Sequence, residues 1–532
     1  MTQYFDVRNP ATGAVVGKYM QQQASDIAKA VSNARVAQKA WAQLTYDQRA
    51  VHLKKMKAFL AANAERATDV IVSCSGKTRQ DALATEVLPG VLACDWYAKN
   101  TKKVLAPQKL PVGSILFANK SNAIHYEPVG VVGIISPWNY PFSIPFGEVL
   151  MGLMAGNAVL LKVATNSTPV GCFIEEVVQA GELPVGLFQH LVVSGAEAGR
   201  ALLEAGISKL FFTGSVGVGK KLMAEAAKTL TPVSLELGGN DPMLVLKDAS
   251  IERAVNCACW GGYQNAGQSC GGVERIYVDE SIYPEFLAQL KAKTEALRHG
   301  PDTGTFDVDM GCITTKGQYE TIAAQVKEAL AQGATIEAQS RPSANCPKDG
   351  LFYPATVLSG CTPSMRIMKE ETFGPILPVV PFKTEEEGIQ MANDCTMALT
   401  SSVHSRNMKH AKEVAMRLES GVVTINDHLY SHGMSEAPWG GWKESGIGRT
   451  HGYLGLKEMV NAKCINSDLM PSGLLPRNLW WYPFTHETDA MLRNVLSFAA
   501  STSICKMLSS LWYIITHCRY MFRPWEIKST PK

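Results

Sequence analysis

The pattern of apolar and polar positions changes character three times along the chain. Near the start it is helical. Ser25 and Asp26 precede an alanine-rich stretch reaching Leu44, with Ile27, Val31 and Ala34 on one face. A second such stretch follows Thr45 and places Leu53, Met56 and Phe59-Leu60 together. Both predict packing helices without chemistry of their own. From Val129 short apolar runs take over: Val131–Ser136, Ala158–Val163, Leu191–Val193, Lys209–Thr213 and Val233–Leu237. Runs this short predict buried strands. Helical stretches lie between them, and Pro169 is placed to open one of these at its first turn. Strand-helix alternation at this spacing predicts a parallel sheet covered on both faces. After Gly239 a second alternating region opens with the strand Pro242–Leu246 and a helix from about Ile251, and runs to about Trp439.

The third change comes near the end. Asn466–Glu487 is rich in proline and aromatic residues and reads as an irregular connection. Val495–Ile515 is then mostly apolar over 21 residues, long enough to cross a bilayer at about 1.5 Å per residue. Lys506 sits in its middle, where insertion costs about 2.5–3.5 kcal/mol. Trp512 and Tyr513 precede, and Arg519 and Arg523 follow, its end. Three readings stay open: an interfacial helix or tail anchor, an added oligomer-contact helix, or disorder.

Composition narrows the class. The 532 residues predict two or three domains. A hydrophobic share of 46% with 19% charged residues describes an ordinary folded protein. A net charge of +3 implies no nucleic-acid partner. Thirteen scattered cysteines show no zinc-ligand spacing and no disulfide framework, so reduced thiols in a cytoplasmic setting are expected, with no metal. Met1–Asp6 has neither a basic nor an apolar leader segment, and the ending Ser529-Thr530-Pro531-Lys532 is not a peroxisomal signal.

Three segments carry candidate chemistry. Gly214-Ser215-Val216-Gly217-Val218-Gly219 follows the strand Lys209–Thr213 and opens a helix. Glycines there let the backbone approach a pyrophosphate, whose charge the helix N-terminus favours. A purely structural turn has the same composition, and the glycine order departs from the usual dinucleotide fingerprint. In Gly267-Gln268-Ser269-Cys270-Gly271, a cysteine in a polar, glycine-rich turn has a free backbone N–H beside its thiol, the arrangement an oxyanion requires. In Leu235-Glu236-Leu237-Gly238-Gly239, a strand-end carboxylate followed by two glycines is free to reach a water. Taken singly, the cysteine also reads as a structural thiol and the glutamate as a solvated strand end.

Together these segments resemble the aldehyde dehydrogenase superfamily. Glu236-Leu237-Gly238-Gly239 matches its glutamate signature, and Gly267–Cys270 its cysteine signature, 34 residues on from glutamate to cysteine. Ser136-Pro137-Trp138-Asn139-Tyr140-Pro141 looks like its asparagine motif, Glu370-Glu371-Thr372-Phe373-Gly374-Pro375 like its cofactor-clamping motif, and Pro438–Gly446 like its C-terminal glycine motif. The likeness runs in order from about Tyr4 to Lys463.

The resemblance implies an α/β fold with a Rossmann-like cofactor domain, an α/β catalytic domain and a small β oligomerisation arm. Expected bounds are 1–238 for the cofactor domain with arm strands about 115–128, 239–440 for the catalytic domain, and 441–475 for a return to both cofactor domain and arm. A C-terminal extension over 476–532 would carry an apolar helix at about 490–518. The resemblance also implies oxidation of an aldehyde to its acid with NAD or NADP: Cys270 as nucleophile, Glu236 as general base, Asn139 as oxyanion donor. Trp138, Lys162, Thr165, Gly214, Ser215, Gly219, Glu371 and Phe373 would hold the cofactor. Lys162 would bond ribose hydroxyls, Ser215 the pyrophosphate and Glu371 the nicotinamide ribose.

One departure bears on the cofactor. The family usually places a glutamate three residues after the lysine; here Lys162-Val163-Ala164-Thr165 ends in threonine, and Pro169 comes one residue late. Threonine does not repel a 2′-phosphate, so NADP is expected to be accepted. A homodimer or homotetramer acting on a medium- or long-chain, or broad-range, aldehyde is implied, with membrane contact through the C-terminal helix as an option. Acylating relatives that use coenzyme A generally lack the glutamate, so Glu236 favours hydrolysis. A catalytically silent structural relative is the alternative that the intact Cys270, Glu236, Asn139 and Glu371 argue against. His428 and His432 are candidates for the site entrance, against a core or surface role.

Overall fold

The computed structural model describes residues 4–114 and 117–523, in two compact units. The first comprises residues 1–105 and 127–461, the second 106–126 and 462–532. The first unit is built on two sheets. Strands β1 (Val131–Ile135), β2 (Ala158–Lys162), β3 (Phe188–His190), β4 (Lys209–Thr213) and β5 (Val233–Glu236) are parallel, in the order β5-β4-β1-β2-β3, and Gly446–Ile447 adds antiparallel to the edge at β5. Every residue of β1, β2 and β4 is buried, which is why these strands read as unbroken apolar runs. Helix α1 (Ser143–Ala155) is buried along its whole length, Glu148 included.

The second sheet collects β6 (Asp241–Val245), β7 (Val273–Asp279), β8 (Thr335–Gln339), β9 (Thr356–Ser359), β10 (Ile376–Phe382), β11 (Thr400–His404) and β12 (Val422–Ile425), in the order β8-β9-β10-β7-β6-β11-β12. Only the β8–β9 pair is antiparallel. Glycine-containing ends carry the chain from β5 straight to β6, so Glu236 closes one sheet and Asp241 opens the other.

Three sequence expectations are corrected. The chain does not begin with helices: Tyr4–Arg8 and Val15–Met20 form an antiparallel hairpin first. The strand expected at Leu191–Val193 is Phe188–His190, fixed there by pairing Phe188 with Val159 and His190 with Leu161. The single apolar helix expected over 490–518 is two helices, α4 (His486–Ala500) and α5 (Ile504–His517), broken at Ser501-Thr502-Ser503. Among the described residues no helix is long and apolar enough to cross a membrane, which removes the spanning reading of the tail.

In the second unit, Gln108–Leu110 pairs antiparallel with Lys120–Pro128, and Val460–Asp468 completes a three-stranded sheet. Ile115 and Leu116, where the arm was expected to begin, lie outside the described residues, as does the chain end from 524. Thr485 caps α4, its hydroxyl accepting from the Thr488 N–H at 3.2 Å.

Candidate active site

The carboxyl ends of parallel strands leave a crevice where connections diverge, and the singled-out residues of the first sheet gather there. β1 ends before Trp138 and Asn139, β2 ends on Lys162, β4 ends before Gly214-Ser215, and β5 ends on Glu236. Ser215 is the N-cap of α2 (Val216–Ala227), and its side chain makes no capping bond, so the first N–H groups of the helix stay available. Gly219 is required by packing: a Cβ there would lie 2.6 Å from a Leu237 methyl, so glycine lets α2 close on the strand end.

Cys270 is presented by a contorted loop. Asn265, Ala266 and Gly267 all take positive φ, 54°, 55° and 70°. A Cβ on Gly267 would overlap the Gly374 carbonyl, so the cysteine loop and the Glu371–Pro375 loop lie backbone to backbone. Gln268 fastens the turn, its side chain donating to the carbonyls of Asn265 (2.9 Å) and Cys312 (3.2 Å) and accepting from the Thr314 N–H (2.8 Å). His428 is fully buried with Nε2 2.9 Å from the Gly271 carbonyl, so it braces this loop rather than lining the entrance. Glu274 braces the other loop, accepting from the N–H groups of Thr372 and Phe373 at 2.7 Å each.

Asn139 sits on a buried ion pair. Lys77 Nζ lies 2.6 Å from Glu86 and donates to the Asn139 carbonyl at 2.8 Å, and Glu86 also accepts from the Phe142 N–H at 2.7 Å. Both charged side chains are completely buried. The Asn139 side-chain amide donates to the Gln268 carbonyl at 3.2 Å. Removing one partner of such a pair strands the other charge in the interior, at a cost of about 3–5 kcal/mol. Lys77→Met is therefore expected to lower the denaturation midpoint substantially and to depress activity in the protein that stays folded, as urea titration alongside an aldehyde assay would show.

Two cavities meet at Cys270. One, of about 190 Å³, is walled by Tyr140, Trp260, Leu429, Tyr430, His432 and Trp439. The other, of about 230 Å³, is walled by Trp138, Asn139, Gly214, Ser215, Glu236, Glu371 and Phe373, with Gln318 and Thr321 from the helix α3 (Lys316–Ala331). Cys270 lines both and remains partly open. Lys162 and Thr165 do not line the second cavity; Lys162 is buried at the end of β2 facing Gly195, and Thr165 is exposed on the turn that follows. Trp138 and Phe373 stand edge to face at 5.6 Å.

The electrostatics are those of a buried, acidic site. Burial, then the charge of Glu148, pushes the Glu236 carboxyl well above the usual carboxylate range. Among the described residues neither of its oxygens has a hydrogen-bond partner. Burial raises the Cys270 thiol, and the carboxylates of Glu371, Asp241 and Glu236 add to the effect. Burial also lifts Glu371, which accepts from the Gly239 N–H at 3.0 Å, to about 7. It lowers Lys162 to about 8 and His432 to about 4.

Sequence reasoning missed Trp260, which nothing in its local pattern marks; His432, one of the two entrance candidates, does line the aromatic cavity, and Tyr140 and Trp439 reach it from the asparagine and C-terminal glycine motifs. Glu274 and Arg275 did leave a signal: two charges inside an apolar strand are buried only if bonded.

Comparison with known proteins agrees with this geometry. Residues 1–465 match the profile described as the aldehyde dehydrogenase family. The chain is 35% identical over 490 residues to a 4,4'-diapolycopene aldehyde oxidase of Methylomonas, covering 92% of this chain and 90% of that protein. A betaine aldehyde dehydrogenase of Staphylococcus aureus, solved with NAD+, superposes with a TM-score of 0.83 at 30% identity, over 90% of this chain and 94% of that one. An E. coli NADP-dependent enzyme does so at 0.82 and 29% identity, over 88% and 95%. The chain belongs to the aldehyde dehydrogenase family.

Proposed function

We propose that this protein oxidises uncharged, extended aldehydes to carboxylic acids with NAD or NADP, through a thioester on Cys270. The observation that carries this reading is that Cys270 lines two cavities of opposite character. An aldehyde entering along the aromatic wall meets the sulfur from one side; the strand-end crevice opens on the other.

The second cavity suits a dinucleotide: a glycine turn at the N-terminus of α2, an aromatic pair, and a carboxylate, Glu371, at its far wall. Ser215 with Gly214 and Gly219 would receive the pyrophosphate, Lys162 the adenosine ribose, and Glu371 with Phe373 and Trp138 the nicotinamide end. NAD(P), when bound, supplies the hydride acceptor that converts the cysteine–aldehyde adduct to a thioester.

The side chains do the rest. Cys270 Sγ passes its proton to the Glu236 carboxylate, which hands it on to solvent, and bonds to the carbonyl carbon. The Asn139 amide and the Cys270 N–H hold the resulting oxyanion. Glu236, buried and ionised again, takes a proton from the water that attacks the thioester; the acid departs and the thiol is restored.

The aromatic cavity carries no charged side chain, since His432 is held neutral. A carboxylate-bearing semialdehyde would bury its charge there unpaired, whereas an apolar chain or polyene packs against the rings. The relative named for diapolycopene aldehyde supports the same class. With a panel of aldehydes, kcat/KM is expected to rise with chain length and to fall for a semialdehyde of equal length; a preference for the semialdehyde would overturn the substrate class. Thr165, on the exposed turn beyond this cavity, carries no charge to repel a 2′-phosphate, so NADP is expected to be used, and Thr165→Glu to shift preference toward NAD by about tenfold. NAD-only turnover in the unaltered enzyme would refute the cofactor assignment. By the same family reading the working form is a homodimer or homotetramer, which light scattering would count.

A further inference from the structure

The C-terminal unit carries a surface that catalysis leaves unused. One side of α5 packs against α4, with Tyr513 and Cys518 joining the small core around Leu479 and Met491. The other side is apolar too. Ile504, Leu508, Trp512 and Ile515 recur at helical spacing and are 73%, 60%, 70% and 57% exposed. They form one stripe along a helix of about 20 Å. A continuous exposed stripe of large apolar residues marks an interaction surface.

Charge indicates what covers it. Between Asp489 and Glu526 the chain carries four basic residues, Arg493, Lys506, Arg519 and Arg523, and no acidic one. Arg493 is paired with Asp489 at 2.7 Å. Lys506, Arg519 and Arg523 are exposed, on or just beyond the striped helix. A second copy laid on this stripe would bring like charges together with no acid from either α5 to offset them. An anionic bilayer supplies both partners at once, acyl chains for the stripe and phosphates for the bases. With 14 residues α5 falls short of the roughly 20 needed to span, so it lies in the plane of the surface.

We propose that α5 docks this protein on an anionic membrane, with Leu508 and Trp512 below the head groups and Arg519 and Arg523, just beyond the helix end, among the phosphates. The proposal does not depend on the catalytic assignment. The test is co-sedimentation of the full chain with phosphatidylcholine vesicles, with and without phosphatidylglycerol. Binding is expected on the anionic vesicles, about tenfold weaker on phosphatidylcholine alone, and weakened by salt. Leu508→Glu with Trp512→Glu should abolish binding while short-aldehyde turnover and oligomer mass are unchanged. Arg519→Glu with Arg523→Glu should erase the anionic preference. Failure to bind either vesicle overturns the proposal. So does loss of oligomer mass in the Leu508/Trp512 variant, which would assign the stripe to a second copy.

Discussion

Replacing Cys270 by alanine is expected to lower aldehyde-dependent reduction of NAD(P) by at least about 10⁴-fold while leaving the fold and cofactor binding intact. Among the described residues it alone lines both cavities, so without it an aldehyde and a dinucleotide can still bind but the aldehyde carbon has no sulfur to bond to and no adduct forms from which a hydride can pass. In the proposed mechanism the Asn139 amide and the Glu236 carboxylate act on an adduct that no longer forms. The other twelve cysteines line neither cavity and cannot substitute. Measured by absorbance at 340 nm with cofactor affinity followed in parallel, retained turnover in Cys270→Ala would place the nucleophile elsewhere.

Glu236→Gln is expected to separate the two halves of the reaction. Steady-state turnover should fall by about 10²–10⁴-fold, the usual contribution of a general base. One equivalent of reduced cofactor should still appear as a burst, provided another acceptor takes the thiol proton. The pH dependence follows from the same residue. A base works only when ionised, and burial raises the Glu236 carboxyl well above its ordinary range. Activity is therefore expected to climb with pH through that raised value, at a pH higher than a solvated glutamate would give. The raised Cys270 thiol acts in the same direction. In Glu236→Gln the limb belonging to the carboxyl should vanish from the hydrolytic step. An unchanged pH profile in the variant would remove Glu236 from the mechanism.

Much of the first sheet was legible because its strands are buried on both faces, and continuous apolar runs between helical stretches have few other readings. The hairpin Tyr4–Met20 was not, since most of its residues are exposed or half-exposed and its inward face, Phe5 and Val7 against Tyr19 and Gly17, is too short an alternation to stand out. Strand Phe188–His190 escaped for a related reason: its Gln-His sequence is set as a strand by pairing with β2, not by its own composition. In the tail, Ser501–Ser503 interrupts a run whose hydrophobicity alone suggested one helix. The site was legible where short motifs fix backbone and side chain together, as in the Glu236 and Cys270 segments. Trp260 of the aromatic wall and the Lys77–Glu86 support were not. They come from segments far apart in the chain, and each alone looks like ordinary core.

The most direct test of the account is the intact mass of Glu236→Gln after incubation with an aldehyde and oxidised cofactor, followed by peptide mapping. The account predicts one acyl group per chain, with the mass of the aldehyde less two hydrogens, located on Cys270. No adduct while cofactor is reduced, or an adduct on another residue, would contradict it.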